Sequence, residues 1–370
     1  MAPDVDSEEA DSDSETGPTF PPAERKVVTQ PLDLSVQTLV DQWNAKELLL
    51  PEIQREYVWD NKRASRLVES LLLNIPIPVL YFAETEDAKF EIIDGHQRVR
   101  SVVRYLNNEF PLGGLQVLSE YKGKRYHTLP AREQRFLKMR TLRAVVISYE
   151  SHPSMKFEIF ERLNTGSISL NPQELRNSIY RGRFNRELHT LAKNEELRKI
   201  VGTRSPRRRM VDEELILRFL ALRANFEDYK PPLKRYLNNY MQAVQCADED
   251  QVEEAAQIFR ETITVLHATL GDGAFRLADR TGEPTEKAIN RALFDSQMLA
   301  FSWVTKEPTA SQRKKVLKEL ASLYKDPEFL DTIRRATGDR TRTRRRVGRV
   351  VEALESAGLT LDVPVDLSSE

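Results

Sequence analysis

The sequence predicts an α+β protein: a small, mixed β-sheet with its own helices over residues 27–152, then an all-helical region. Three observations predict it. Short apolar runs rich in β-branched or aromatic residues, at 79–83, 90–93 and 142–149, have the length of strands. Apolar stripes at i, i+3, i+4 and i+7 spacing alternate with those runs. From Ser154 onward only helical periodicity recurs until the last few residues.

Composition fits this class. The chain has 370 residues, 40% hydrophobic and 31% charged, and the scaling laws let roughly three quarters of its surface be buried. That size implies about two to three domains. A net charge of −1, from 56 basic and 57 acidic side chains, excludes a uniformly basic DNA-coating protein. One cysteine, Cys246, excludes internal disulfides and Cys-rich metal sites, and it reads as a half-buried helix residue. No apolar run is long enough to cross a bilayer, and the acidic N-terminus has no secretory apolar segment. The expected location is cytoplasmic, with no membrane partner.

Residues 1–26 read as a disordered acidic tail: residues 1–24 hold eight acids and no Lys or Arg. It solubilises the chain, mimics nucleic acid or shields a basic surface. Ser35 is placed to cap a short helix over Val36, Leu39, Val40 and Trp43. Residues 50–59, LPEIQREYVW, read as loop and short strand. Asn61 caps an amphipathic helix with Ala64, Leu67, Val68, Leu71 and Leu72 on one face. Strands follow, and Val99, Val102, Val103 and Leu106 mark a second helix. A hairpin is expected around Lys122-Gly123. Later helices are expected near 154–163, 172–181, 184–195, 212–225, 231–246, 251–269, 284–303, 309–323, 326–336 and 345–356. The domain reading is 27–152, then a helical domain at 153–308 and a basic helical extension at 309–370. Trp43, Trp59 and Trp303 read as core anchors, with base stacking an alternative for Trp59.

Three polar signatures stand out. Gln54 and Arg55 lie among apolar and aromatic neighbours, which suits a phosphate ligand or an internal carboxylate. Asp94-Gly95-His96-Gln97-Arg98, with Arg100 after it, joins a strand to a helix. Gly95 permits a tight turn, and helix-start amides attract anions. There Asp94 can hold a metal ion or orient water, His96 can transfer a proton, and Arg98 can fork to phosphate oxygens. A plain Asp94–Arg98 pair closing the turn is the structural alternative. The third signature is Asn164, Gly166, Glu174, Arg176 and Asn177, in which Asn171-Pro172 suits a helix start and Glu174 a capping box.

Two basic segments follow. Arg204–Arg209 includes Arg207, Arg208 and Arg209; Arg334–Arg349 holds eight arginines, among them Arg342, Arg344, Arg345 and Arg346, against Asp339. Such runs suit nucleic-acid phosphates, or a solvated surface balanced by acidic groups elsewhere.

Four segments, LPEIQREYVW, SLLLNIPIPVLYF, IIDGHQRVRSVVRYL and FERLNTGSISLNPQELRNSIY, together resemble the N-terminal domain of GmrSD-type restriction endonucleases (domain of unknown function 262). DEELILRFLALRANF and YKPPLKRYLNNYM resemble that family's helical part, and the agreement spans about residues 27–300. The resemblance implies a ParB/sulfiredoxin-like fold and a role in anti-phage restriction. It also implies binding and hydrolysis of GTP or another nucleoside triphosphate, with Mg2+, at the Asp-Gly-X-Gln-Arg turn. By position it assigns Asp94, Gly95, Gln97 and Arg98 as core residues. Gln54, Arg55, Asn164, Gly166, Glu174, Arg176 and Asn177 match its other motifs. His96 stands where the family has Gln, which weakens the case for turnover.

The family's nucleases often carry a His-Asn-His metal site in a C-terminal domain. Beyond residue 200 this chain has only His267. The expected roles are therefore a nucleotide-hydrolysing sensor for a separately encoded nuclease, or a DNA-binding subunit with a vestigial nucleotide site. A ParB-like nuclease using Asp94, His96 and Glu174 is a third. DNA, modified or not, is the expected partner, and a homo-oligomer is left open.

Overall fold

The computed structural model describes residues 21–50, 57–163, 170–281, 283–365 and 367. The chain divides into two compact units, one over Phe20–Asn171 and one holding Pro172–Glu370. The architecture is α+β, as expected.

The first unit is built on a five-stranded mixed sheet of β1 (Thr29–Ser35), β2 (Leu48–Leu49), β3 (Leu80–Glu84), β4 (Phe90–Asp94) and β5 (Thr141–Ile147). Its order is β1-β5-β3-β4-β2. β1 runs antiparallel to β5, β5 parallel to β3, β3 antiparallel to β4, and β4 parallel to β2. β1 is absent from the sequence reading. Pro31 and Asp33 are residues that strands disfavour, but an edge strand tolerates proline, and Leu32 and Leu34 alternate as a strand requires.

The helices beside the sheet are α1 (Val36–Asn44), α2 (Asn61–Leu72), α3 (His96–Leu106), α4 (Ala131–Met139) and α5 (Pro153–Leu163). Ser35 Oγ accepts from Thr38 N (3.0 Å) and caps α1 as expected. α2 is capped one residue earlier than read: Asp60 Oδ1 accepts from Arg63 N at 2.7 Å. The apolar stripes of α2 and α3 enter one core with Leu80, Phe82, Ile92 and Ala144. The expected hairpin is a closed loop with two 3-10 turns instead, pinched where Leu112 and Gly123–Lys124 exchange two backbone hydrogen bonds. Glu69 holds this loop from α2, accepting from the amides of Gln116, Val117 and Leu118 (2.7–3.0 Å). Burial pushes the Glu69 carboxyl up, but those amides outweigh it and hold it below the usual carboxylate range. α4 escaped the sequence reading because it buries a single apolar residue, Leu137.

The second unit is helical: α6 (Pro172–Ile179), α7 (Arg183–Leu191), α8 (Glu195–Val201), α9 (Val211–Ala224), α10 (Leu233–Ala243), α11 (Glu249–Leu270), α12 (Arg291–Phe301), α13 (Ala310–Leu323), α14 (Pro327–Arg334) and α15 (Arg340–Ser356). The helix expected over 184–195 ends at Leu191, and a further helix not expected from the sequence, α8, follows, capped by Asn194 through Leu197 N (2.9 Å). The helix expected from 284 starts at Arg291, where Asn290 caps it. α15 starts before the expected Arg345, capped by Asp339, so the arginine run is itself helical. Helices α6 to α15 share one hydrophobic core. The described residues from 309 onward, read as an extension, contribute to that core through α13, α14 and α15, and α5 joins the sheet unit rather than the helical one. Cys246 lies exposed beyond the end of α10, not half-buried within a helix.

Candidate functional site

The turn between β4 and α3 carries the strongest polar signature. Gly95 has φ 96°, and a Cβ there would lie 2.3 Å from Leu80 Cδ2. Only glycine fits both the left-handed backbone and that approach. Because the residue before α3 is glycine, no side chain caps the helix start, and its first amides are of the kind that bind anions.

Arg98 closes the turn from within. Its Nη2 donates to Asp94 Oδ2 (2.7 Å), and its Nη1 donates to the carbonyls of Pro78 and, at 3.3 Å, Val79. The Arg98 side chain is 14% exposed and that of Asp94 37%, so the carboxylate is the reachable member of the pair. Arg98 thus ties the end of β4 to the lead-in of β3, and its two terminal nitrogens are engaged inside the protein.

Gln97 faces a different segment. Its Oε1 accepts from Val58 N (3.1 Å) and Trp59 N (3.3 Å), and its Nε2 meets His96 Nε2 at 2.8 Å. Tyr57 OH bonds Ser101 Oγ (2.8 Å) one turn further along α3. The backbone following Gln54 and Arg55 is therefore fastened to α3. Gln54, Arg55, Asn164 and Gly166 themselves lie outside the described residues.

Arginines stack beside this fastening. Arg100 and Arg104 lie over the Tyr57 ring (5.3 and 4.5 Å to its centroid), and Arg63 over Trp59 (4.6 Å). The sequence reading named Arg100 but not Lys62, Arg63, Arg66 or Arg104. Their only signal was NKRASR at the start of α2, together with i, i+4 spacing in α3.

Glu174, Arg176 and Asn177 belong to the helical unit. Glu174 Oε2 meets Arg209 Nη2 at 3.2 Å. Arg176 is buried against Asn238 Oδ1 (2.8 Å), Gln173 Oε1 (3.1 Å) and Glu214 Oε2 (3.5 Å). Asn177 Oδ1 accepts from Asn185 (2.5 Å) and faces His189 Nε2 (3.2 Å), while His189 Nδ1 faces Glu213 Oε1 (3.0 Å). Arg176 and Asn177 act there as internal struts.

The arginine runs are committed in the same way. Arg207 bonds the fully buried Asp212 through its backbone N (2.7 Å) and its Nε (2.8 Å). Arg209 pairs with Glu174, and Arg208 is exposed. In α15, Arg342 pairs with Asp331 (2.6 Å), Arg345 with Glu328, and Arg349 with Asp326 (2.7 Å), forming a ladder to α14 and the residue that caps it. Arg344 and Arg346, expected at a DNA-facing surface, are instead buried, because they share the inner side of α15 with Val347 and Val350. Arg346 donates to the carbonyls of Thr332 (3.0 Å) and Thr337 (3.2–3.3 Å). Burial, more than any neighbour, brings its guanidinium down to about 10. Among the described residues no group of three or more His, Cys, Asp or Glu side chains is arranged to hold a metal ion. Nor is any of their helices long and apolar enough to cross a membrane.

Together, the mixed sheet and the strand–glycine–helix turn define an α+β domain in which α3 opens from a left-handed glycine without a side-chain cap. Residues 36–181 match the GmrSD restriction endonuclease, N-terminal domain. Over that stretch the chain is similar to the N-terminal domain of GmrSD-type restriction endonucleases. A comparison with curated proteins finds no match.

Proposed function

We propose that the chain is a nucleoside-triphosphate-binding and -hydrolysing component of a prokaryotic DNA-restriction, anti-phage system. GTP or another triphosphate binds at the Asp94–Arg98 turn. One observation carries the reading: a left-handed glycine opens a helix with no side-chain cap, beside a partly exposed carboxylate. Phosphate oxygens take the α3 amides. The Asp94 oxygen not held by Arg98 holds Mg2+ or orients the attacking water. A hard cation such as Mg2+ would be held there by Asp94 together with oxygens of the bound nucleotide, and would help neutralise phosphate charge. Arg98 acts as the strut that keeps Asp94 in place.

Calorimetric titration of each nucleoside triphosphate into the purified chain with Mg2+, followed by a phosphate-release assay, tests this. The wild type binds at least one triphosphate. Asp94→Asn, which keeps the side-chain shape, retains binding and loses phosphate release by at least about 100-fold. Absence of binding by all of them, with and without DNA, overturns the reading. A second reading, a DNA-binding regulatory subunit with a vestigial nucleotide site, is favoured by the engagement of both Arg98 terminal nitrogens with Asp94 and the carbonyls of Pro78 and Val79 inside the protein. Binding without phosphate release identifies it.

A further inference from the structure

The arginine-rich α15 spends much of its charge internally, whereas the outer face of α2 carries its cations in the open. Lys62, Arg63 and Arg66 are exposed on α2. Arg100 and Arg104 occupy successive turns of α3, about 6 Å apart along the axis. Among the described residues, two carboxylates accompany Lys62, Arg63, Arg66 and Arg104: Asp60, committed to capping α2, and Glu109, paired with Arg104 at 3.0 Å. Glu69, further along α2, is turned inward to the 116–118 amides. The strip thus carries a local positive excess that the chain's net charge of −1 conceals.

The strip is also ordered in advance. Arg63 lies on Trp59, Arg100 and Arg104 on Tyr57, and Arg104 also within 5.2 Å of the Phe110 centroid. Stacked guanidinium groups lose less freedom on binding and keep their N–H edges outward for planar oxygen acceptors. The stem of Lys62 lies over Gly114, where an added Cβ would be 3.3 Å from its Cγ, so its ammonium is carried outward. With guanidinium groups over the rings, the strip suits a backbone rather than bases.

We propose that the α2–α3 face, built from Lys62, Arg63, Arg66, Arg100 and Arg104, is the DNA contact surface of this chain, and that it holds duplex phosphates without reading sequence. This replaces Arg342, Arg344, Arg345 and Arg346 as the expected contact. It stands on a different observation from the nucleotide reading and does not require it. The strip begins where Gln97 fastens Val58 and Trp59, so bound DNA lies beside the Asp94–Arg98 turn.

The test is fluorescence anisotropy of labelled duplexes of two unrelated sequences, without nucleotide, across a salt series. The wild type binds both equally. The triple variant Lys62→Glu/Arg63→Glu/Arg66→Glu, checked for native circular dichroism, loses at least tenfold in affinity. Its slope of log K against log salt falls by about 2–3, the loss of three phosphate contacts. The milder Lys62→Gln/Arg66→Gln, at exposed positions, keeps the fold and shows an intermediate loss. Arg342→Gln/Arg345→Gln leaves affinity and slope unchanged. Unchanged affinity in the Glu and Gln variants of α2, or a larger loss from the α15 variant, overturns the proposal. Nucleotide titration of the same α2 variants gives wild-type binding, so failure of the DNA surface and failure of the nucleotide site read out separately.

Discussion

The helical unit buries its charges, whereas the sheet unit leaves many of its cations in solvent, and the contrast shows that charge density along a sequence is a poor guide to charge at a surface. In the helical unit Arg218 forks onto Asp295 at 3.0 and 2.5 Å, both side chains under 10% exposed. Arg346 sits in the same interior, close enough to feel both Asp295 and Arg218. In the sheet unit a pair such as Arg143–Asp33 is open to water. Buried charges are constrained by desolvation and must be matched, while exposed ones are screened and individually weak.

The largest effect that would break this comparison is at Asp295. Removing it by Asp295→Ala leaves two buried guanidinium groups without their shared carboxylate. We expect a loss of about 3–5 kcal/mol, measured as a shift of the urea midpoint at constant m-value. The double variant Arg218→Met/Asp295→Leu is expected much closer to wild type, since an apolar pair needs no charge balance. If Asp295→Ala unfolds like wild type, the interior charges are not coupled as the geometry implies.

Some of this was legible in the sequence and some was not. The Asp94–Gly95 turn was, because a glycine between a strand-like run and a helical stripe marks a backbone turn that side-chain-bearing residues avoid. The Asp94–Arg98 pair followed from i, i+4 spacing. The partners of Gln97 were not legible, since Val58 and Trp59 are 38–39 residues away and only the tertiary fold brings them in. The burial of Arg346 was hidden for a different reason. Its helical phase matches Val347 and Val350, but an arginine within a basic run reads as solvated unless carbonyl acceptors at Thr332 and Thr337 are known. β1 was hidden by Pro31, whose cost disappears at a sheet edge.

A middle-sized effect separates buried from open charge within the sheet unit itself. Glu69→Ala leaves the amides of Gln116, Val117 and Leu118 without their acceptor, an expected loss of about 1–3 kcal/mol near pH 7. The folded state holds this carboxyl below its unfolded value of 4.5. Its stabilisation is therefore fully present above that value and is lost as pH falls through the folded one. Urea midpoints of wild type and Glu69→Ala should converge as pH drops below 4.5. A gap that persists unchanged in acid would mean that the side chain acts by packing alone.

The smallest effect is expected at the β1–β5 edge. Arg143 forks onto Asp33 at 2.9 and 3.1 Å, and the hydrogen bond from Arg143 holds the Asp33 carboxyl below its usual range. Geometry alone would make this as good a pair as Arg218–Asp295. Its side chains, however, are 66% and 51% exposed, so water and salt supply most of what the partner offers. Asp33→Ala is expected to leave the urea midpoint unchanged within error at about 0.15 M salt, with a difference emerging only at low ionic strength. A clear loss at physiological salt would show that the edge strand depends on this pair for its register, and the boundary between matched interior charge and screened surface charge would have to move.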